Sequence, residues 1–294
     1  MTRGITLEGS MVALITPFKG DDVDYDALGK LIDFQLEGGT QGLVPCGTTG
    51  ESPTLSHAEH DKVIEFTIDR ANGRVPVIAG TGSNSTAEAL RLTQHAKAAG
   101  ADACLIVNPY YNKPPQRGMF HHIETLAEAE LPIVLYNIPG RTSIEMAVET
   151  MVEMYEKIEM VVAVKEATGK LDMASHLARS CDITILSGDD SLTLPIGAVG
   201  GRGVISVLAN ALPSEIRKLT DAMLSGNMAG ATEQHLKLMG LFSGIFVETN
   251  PMPIKAIMAG AGFCEPDVRL PLVPLGEEHK PKLAELLKPF GLTI

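Results

Sequence analysis

Val161-Val-Ala-Val-Lys-Glu-Ala-Thr-Gly169 decides how the rest of this chain is read. Four apolar residues, three of them β-branched, run into a lone lysine and stop at Thr168-Gly169. A short apolar run closed by a turn signal reads as a buried strand. Lacking polar alternation, such a strand has both faces covered, as in a parallel sheet packed between helices. Lys165 then ends a strand, at a place where desolvation disfavours a charge. A neutral lysine amine is a nucleophile, and Schiff-base formation with a carbonyl compound is the chemistry open to it. The plainer alternative is a strand-end lysine that snorkels to water or pairs with Glu166.

The same beat recurs on both sides of this stretch. Short apolar runs end in Gly, Pro, Asn or Thr, and a helical pattern follows. Upstream runs are Met11-Val-Ala-Leu-Ile-Thr16, Gly42-Leu-Val-Pro-Cys-Gly47, Pro76-Val-Ile-Ala-Gly80, Ala103-Cys-Leu-Ile-Val107 and Pro132-Ile-Val-Leu-Tyr136. Downstream come Thr184-Ile-Leu-Ser187 and Gly203-Val-Ile-Ser-Val207. Between them lie amphipathic stretches over 27–37, 58–71, 86–99 and 118–129. Ser56 with Glu59, and Ser85 with Glu88, have the form of capping boxes, and Gly38 and Gly100 sit where helices stop. Eight β and α units alternating in series predict an α/β fold, a closed (β/α)8 TIM barrel. A doubly wound sheet is the alternative, but it usually has about five or six strands. Past Pro213 the strand signal ends, and 214–224, 229–246, 253–261 and 277–287 read as helices. Pro266, Pro271 and Pro274 mark an extended connection before the last of them. The expected division is a catalytic barrel over 1–225 and a small C-terminal helical appendage over 226–294.

Composition narrows the function. The 294 residues carry a formal net charge of −12 and no basic stripe, so nucleic acid and anionic membranes are poor partners. Any anionic substrate must meet local positive groups that outweigh the overall field. The four cysteines form no CxxC pair and read as reduced thiols. The segment Met1-Thr-Arg-Gly-Ile-Thr-Leu-Glu8 has no apolar signal region. The apolar region 191–213 is broken by Gly200-Gly-Arg-Gly203 and Asn210, which disfavours a membrane span. A cytoplasmic location is expected.

In a (β/α)8 barrel the site lies at the C-terminal ends of the strands. Those ends here carry Thr16-Pro-Phe18, Gly47-Thr-Thr-Gly-Glu51, Asn108-Pro-Tyr-Tyr-Asn112, Tyr136-Asn-Ile-Pro-Gly-Arg141, Lys165, Gly188-Asp-Asp190 and, last, Ile205 with Ser206. Three of the chain's five tyrosines (Tyr110, Tyr111 and Tyr136) fall in this set, which favours the functional reading of Lys165. The glycine-flanked Gly47–Glu51 turn offers backbone N–H groups and hydroxyls to an anion, or is an ordinary βα turn. It lacks the Gly-Lys-Ser/Thr ending of a P-loop, and Gly80-Thr-Gly82 lacks the third glycine of a dinucleotide fingerprint. Tyr136, Thr48 and Tyr111 are candidates for proton transfer. Arg141 offers a planar fork for a carboxylate, unless it serves only a surface salt bridge. No His, Asp or Glu set has metal spacing; His121 and His122 are adjacent and diverge on a helix. No metal and no cofactor is expected, because an iminium is itself an electron sink.

Together, Gly47-Thr-Thr-Gly-Glu51, Tyr136-Asn-Ile-Pro-Gly-Arg-Thr142 and Val164-Lys-Glu-Ala-Thr-Gly169 resemble the dihydrodipicolinate synthase family. That family belongs to the class I, pyruvate-dependent aldolases that also include N-acetylneuraminate lyase, and the resemblance spans nearly the whole chain. It implies a lyase-type enzyme of lysine and diaminopimelate synthesis that condenses pyruvate with L-aspartate-4-semialdehyde. Lys165 would form the pyruvate Schiff base, Thr48 and Thr49 would hold the pyruvate carboxylate, and Tyr136, Thr48 and Tyr111 would relay protons. Arg141 would bind the aldehyde's carboxylate, and Ile205 is a further expected substrate contact. The tyrosine matching Tyr111 crosses a dimer interface in that family, which implies a homo-oligomer, a tetramer of two tight dimers. Some members are inhibited by L-lysine; the matching positions are Ser52, Pro53, His57, His60, Asn84, Glu88 and Tyr110. Glu88 would meet the effector's ammonium, whereas Pro53 departs from the expected alanine, and His57 and His60 read equally as polar residues of a helix start. Two other readings are an aldolase acting on sugar-derived 2-keto acids, which Arg141 opposes, and a non-catalytic keto-acid sensor.

Overall fold

The protein, seen in a computed structural model, is described over residues 4–294. Eight parallel strands form one sheet: β1 (Gly9–Ala13), β2 (Gly42–Val44), β3 (Ile78–Gly80), β4 (Ala103–Val107), β5 (Ile133–Asn137), β6 (Val161–Glu166), β7 (Thr184–Ser187) and β8 (Gly203–Ser206). Their spatial order is β2-β1-β8-β7-β6-β5-β4-β3. The Leu43–Val77 bridge joins the two ends, with Leu43 N donating to Pro76 O (3.0 Å) and Gly80 N to Pro45 O (2.9 Å). The sheet therefore closes on itself as the TIM barrel that the eightfold beat predicts. A two-residue hairpin, Phe18–Lys19 with Asp22–Val23, extends the loop after β1.

Every residue of β6 is buried, which is why that strand shows no polar alternation. Its side chains divide between two layers. Ala163, with Met11, Ile78, Leu105, Val134, Leu186 and Ile205, fills the barrel interior. Val161 and Val164 join the layer between strands and helices. Period-two alternation then aims Lys165 inward and Glu166 outward. The structure extends β1 back to Gly9, two residues before the expected start. Gly9, with φ +81°, lies so close to Gln41 that a Cβ there would meet its Oε1 at 1.9 Å.

Eight helices follow the strands: α1 (Tyr25–Glu37), α2 (His57–Ala71), α3 (Thr86–Ala99), α4 (Gln116–Leu126), α5 (Val148–Lys157), α6 (Leu171–Ser180), α7 (Thr193–Ala198) and α8 (Pro213–Leu224). Ser56 completes its capping box: Glu59 N donates to Ser56 Oγ (3.3 Å) and Ser56 N to Glu59 Oε2 (2.8 Å). Ser85 does not. It accepts from Glu88 N, but the Glu88 carboxylate turns instead to Ser83 Oγ and His57. The stop at Gly100 is a left-handed cap with φ +96°.

Beyond α8 come α9 (Met228–Gly244), α10 (Met252–Gly260) and α11 (Lys280–Leu287), with an irregular connection through Pro266, Pro271 and Pro274. Apolar residues of α9 and α10, among them Leu238, Phe242, Ile254 and Ile257, belong to the same continuous core as the barrel's outer layer. One ion pair ties this region to the strand ends. Lys255 Nζ lies 2.5 Å from Glu51 Oε1, and both side chains are wholly buried. Lys255 Nζ also donates to Asp267 O (2.7 Å), and Arg269 N donates to Glu51 Oε2 (2.9 Å). Phe18 packs against both cations, 3.9 Å from Lys255 Nζ and 4.3 Å from the Arg269 guanidinium carbon. Removing one partner strands a buried charge, which costs about 3–5 kcal/mol, whereas replacing both is far less damaging. Lys255→Met is therefore expected to lose that much stability in urea denaturation, and Glu51→Leu/Lys255→Met to recover most of it. Additive losses in the double variant would sink this account.

Candidate active site

The C-terminal rim of the barrel gathers the reactive groups. Tyr136 on β5 and Lys165 on β6 are register partners, so their side chains enter the interior side by side. Both are buried, and Lys165 Nζ lies 4.2 Å from the Tyr136 ring centroid. On the other side, Lys165 pairs in register with Leu186 of β7. Gly188, just past β7, gives the lysine its room. A Cβ there would stand 2.6 Å from Ala167 Cβ and 3.2 Å from Lys165 Cε. Ile205 on β8 is fully buried in the interior cluster that also holds Tyr136.

The turn after β2 is tight because Gly50 N and Ser52 N donate back to Gly47 O, and Glu51 N to Thr48 O. These bonds leave the Thr48 and Thr49 amides out of the turn's own ladder, as an anion nest requires. Glu51, with φ +54°, is held in its left-handed conformation by the pair with Lys255. Thr48 is half-buried and Thr49 buried. Gly80 lets β3 approach this turn: a Cβ there would meet Cys46 O at 2.3 Å. Arg141 leaves β5 on a one-turn helix, Pro139–Thr142, and its Nη2 donates to Asn250 O (3.1 Å).

Two carboxyls flank the lysine strand end. Asp190 is buried, and burial pushes its pKa up to about 6 against the opposing hydrogen bonds from Ser206 Oγ and Val207 N. Asp189 is also raised by burial, offset by the positive field of Lys165. Both stand at a strand end in the sequence, which assigns them no role; the burial of Asp190 and the half-burial of Asp189 are the missing signal.

A cavity of about 470 Å³ opens beside the Gly47–Glu51 turn and Tyr136, with Lys165, Asp189 and Asp190 outside its lining. Its walls include Thr48, Tyr136 and Arg141, and also Ser52, Pro53, His57, His60, Glu88 and Tyr110. The seventh expected effector residue, Asn84, stands behind Tyr110 and donates to its carbonyl (3.1 Å). Hydrogen bonds from Ser83 and then His57 hold the Glu88 carboxyl below the usual range. His57 Nε2 is 2.8 Å from Glu88 Oε1. His60 differs from a solvated helix-start residue: it is buried, its Nε2–H donates to Gly80 O (2.9 Å), and desolvation lowers its pKa to about 4. Tyr111 is not brought to the lysine within one chain. It is 90% exposed, with φ +71°. Asn84 and Asn112 clamp the loop that presents it, Asn112 Nδ2 donating to Asn84 O (2.8 Å). Among the described residues no cluster of His, Cys, Asp or Glu could hold a metal ion, and no helix is long and apolar enough to cross a membrane.

The profile of the dihydrodipicolinate synthetase family matches residues 6–290. The chain belongs to that family. It is 50% identical to the 4-hydroxy-tetrahydrodipicolinate synthase of Aquifex aeolicus over 98% of this chain and 99% of that one. The crystal structure of dihydrodipicolinate synthase from Aquifex aeolicus has the same fold, with a TM-score of 0.96, 50% identity and coverage of 98% and 99%. Two further dihydrodipicolinate synthase structures carry small molecules. That from Acinetobacter baumannii, chloride-inhibited and complexed with pyruvate, has a TM-score of 0.95 and 40% identity, covering 98% of this chain and all of that one. That from Cyanidioschyzon merolae, with lysine bound, has a TM-score of 0.93 and 38% identity, covering 97% and 98%.

Glu166 gives this family member a pH signature. Its carboxyl is buried on the outer face of β6, accepting from Thr168 N (2.8 Å) and Thr168 Oγ1, while Oε2 has no protein partner. Burial raises its pKa from 4.5 to about 7, with Asp189 and Glu145 adding repulsion. Its contribution to stability is fully present below the unfolded pKa and is lost as pH rises through the folded one. Glu166→Gln cannot ionise. Its stability relative to the parent is expected to improve from pH 5 to pH 8, by up to roughly 3 kcal/mol. A Tm difference that is equal at both pH values would refute this.

Proposed function

We propose that this chain catalyses the 4-hydroxy-tetrahydrodipicolinate synthase reaction, the condensation of pyruvate with L-aspartate-4-semialdehyde. It is a lyase of the class I aldolase type, acting in lysine and diaminopimelate synthesis. The observation that carries the reading is Lys165 Nζ buried against the Tyr136 ring at the strand ends. It stands in a chain half-identical, over nearly full length, to a protein named for that activity.

The chemistry follows from nucleophile and acid–base placement. The Lys165 amine attacks the pyruvate ketone, and loss of water leaves the imine. The imine withdraws electrons from the methyl group, which loses a proton to become an enamine. The enamine carbon forms a bond to the aldehyde carbon. The substrate amine then attacks the imine carbon, closes the ring and releases Lys165. Tyr136, beside the amine, and Thr48, on the facing turn, carry protons between these steps. Thr48 and Thr49 hold the pyruvate carboxylate with amides and hydroxyls, and Arg141 holds the carboxylate of the semialdehyde. Ile205 supplies an apolar floor under the reacting carbons.

A second copy of the chain supplies Tyr111. Its exposure and its clamped left-handed backbone support a phenol presented outward to a neighbour's site. We take the assembly to be a tetramer of two such dimers, working in the cytoplasm. L-Lysine is the proposed inhibitor, held by Ser52, Pro53, His57, His60, Asn84, Glu88 and Tyr110. Glu88, kept ionised by Ser83 and His57, meets an ammonium group. The lysine-bound relative supports this reading.

Wild-type enzyme is expected to turn over pyruvate with the semialdehyde, and borohydride to fix one reduced pyruvate on Lys165. Lys165→Ala should abolish both; an active variant would overturn the mechanism. Tyr136→Phe should lower kcat by ~10²–10⁴-fold. Millimolar L-lysine should slow the wild type, and Glu88→Gln should escape that inhibition. A rate indifferent to lysine would remove the effector assignment.

A further inference from the structure

One residue outside the strand-end set touches both expected carboxylate binders. Asn250 lies in the segment Thr249-Asn250-Pro251 that leads into α10, about two hundred residues from the turn it meets. Its Nδ2 donates to Thr49 Oγ1 (2.9 Å), and its backbone carbonyl accepts from Arg141 Nη2 (3.1 Å). The residue is only 5% exposed, and its Oδ1 has no protein partner. Burying an amide with half its capacity unused is costly, and apolar residues would fill the space without that cost.

We infer that Asn250 is a positioning residue for substrate recognition, setting the direction of the Thr49 hydroxyl. A hydroxyl that accepts a hydrogen bond from an amide cannot donate back to that group, so its own proton points elsewhere. Here it is freed for an anion at the Gly47–Glu51 turn. The side chain therefore serves the pyruvate carboxylate, whereas the backbone carbonyl serves Arg141 and survives any side-chain change. The inference rests on the proposed function for the identity of the anion.

This division of labour is what an experiment can read. In full-length enzyme, Asn250→Ala is expected to raise the half-saturating pyruvate concentration for borohydride trapping by about tenfold, the loss of one hydrogen bond to a charged group. The KM for the semialdehyde should move by less than about twofold, because the bond to Arg141 remains. Asn250→Asp has the same size but no donor. Its carboxylate turns the Thr49 proton toward itself and should weaken pyruvate binding at least as much. In a Thr49→Val background Asn250→Ala should cost nothing further, since the hydroxyl it orients is gone. Should Asn250→Ala lower Tm sharply, the equal-sized Asn250→Asp decides. Unchanged pyruvate half-saturation in both variants overturns the inference. So does a parallel rise of both KM values that adds to the effect of Thr49→Val, the mark of a merely structural residue. A wild type that traps no pyruvate overturns the proposed function, and this inference with it. Normal trapping with indifferent variants overturns this inference alone.

Discussion

A closed parallel barrel has no free edge and no wet face. Every backbone donor in the ladder is used sideways, and both sides of each strand are covered, so polar side chains belong where strands stop. That constraint organises the whole molecule. It forces the apolar runs, keeps ionisable side chains to the ends of the strands, and leaves one lysine near the end of β6 beside one tyrosine near the end of β5. Tyr136 belongs to the interior cluster and Lys165 stands beside it, so the apolar core is also the floor of the site.

The features legible in the sequence are those set by near neighbours. Strand β4 and helix α3 fall where periodicity and flanking residues put them, and the eightfold beat was enough for the barrel. Lys165 and Tyr136 could be singled out because each closes an apolar run, and Arg141 because it lies on the loop that follows one. The Ser85–Glu88 box does not close because its carboxylate has a better use: His57 and Ser83 each take one of its oxygens. Asn250, Lys255 and Arg269 could not be found by pattern. Their partners Thr49 and Glu51 lie some two hundred residues away, and nothing local distinguishes a buried lysine in α10 from a solvated one.

The electrostatics follow the same geometry. With a net charge of −12, the chain as a whole repels the anions its site is shaped for. Exposed charges act only over about a Debye length, ~8 Å at physiological salt. In the proposed function, amides of the Gly47–Glu51 turn and the Arg141 fork act at contact distance in a partly enclosed cavity, where each interaction is stronger. A local cationic rim thus outweighs a distant acidic surface. Burial in the protein likewise raises the pKa values of the Asp190 and Glu166 carboxyls, so the lysine strand ends among acids less readily ionised than their residue type suggests.

The pair of Lys255 with Glu51 also sets an order in time. During synthesis the barrel strands and their helices leave the ribosome before the segment that carries Asn250, Lys255 and Arg269. Until that segment arrives, Glu51 lacks the partner that holds its left-handed backbone, and the turn proposed to take the keto acid's carboxylate lacks the partner of Thr49. A chain that ends before that segment lacks both contacts, and lacks as well the α10 side chains that share the barrel's core. The final sixth of the polypeptide thus completes the strand-end turn as well as covering the barrel's flank.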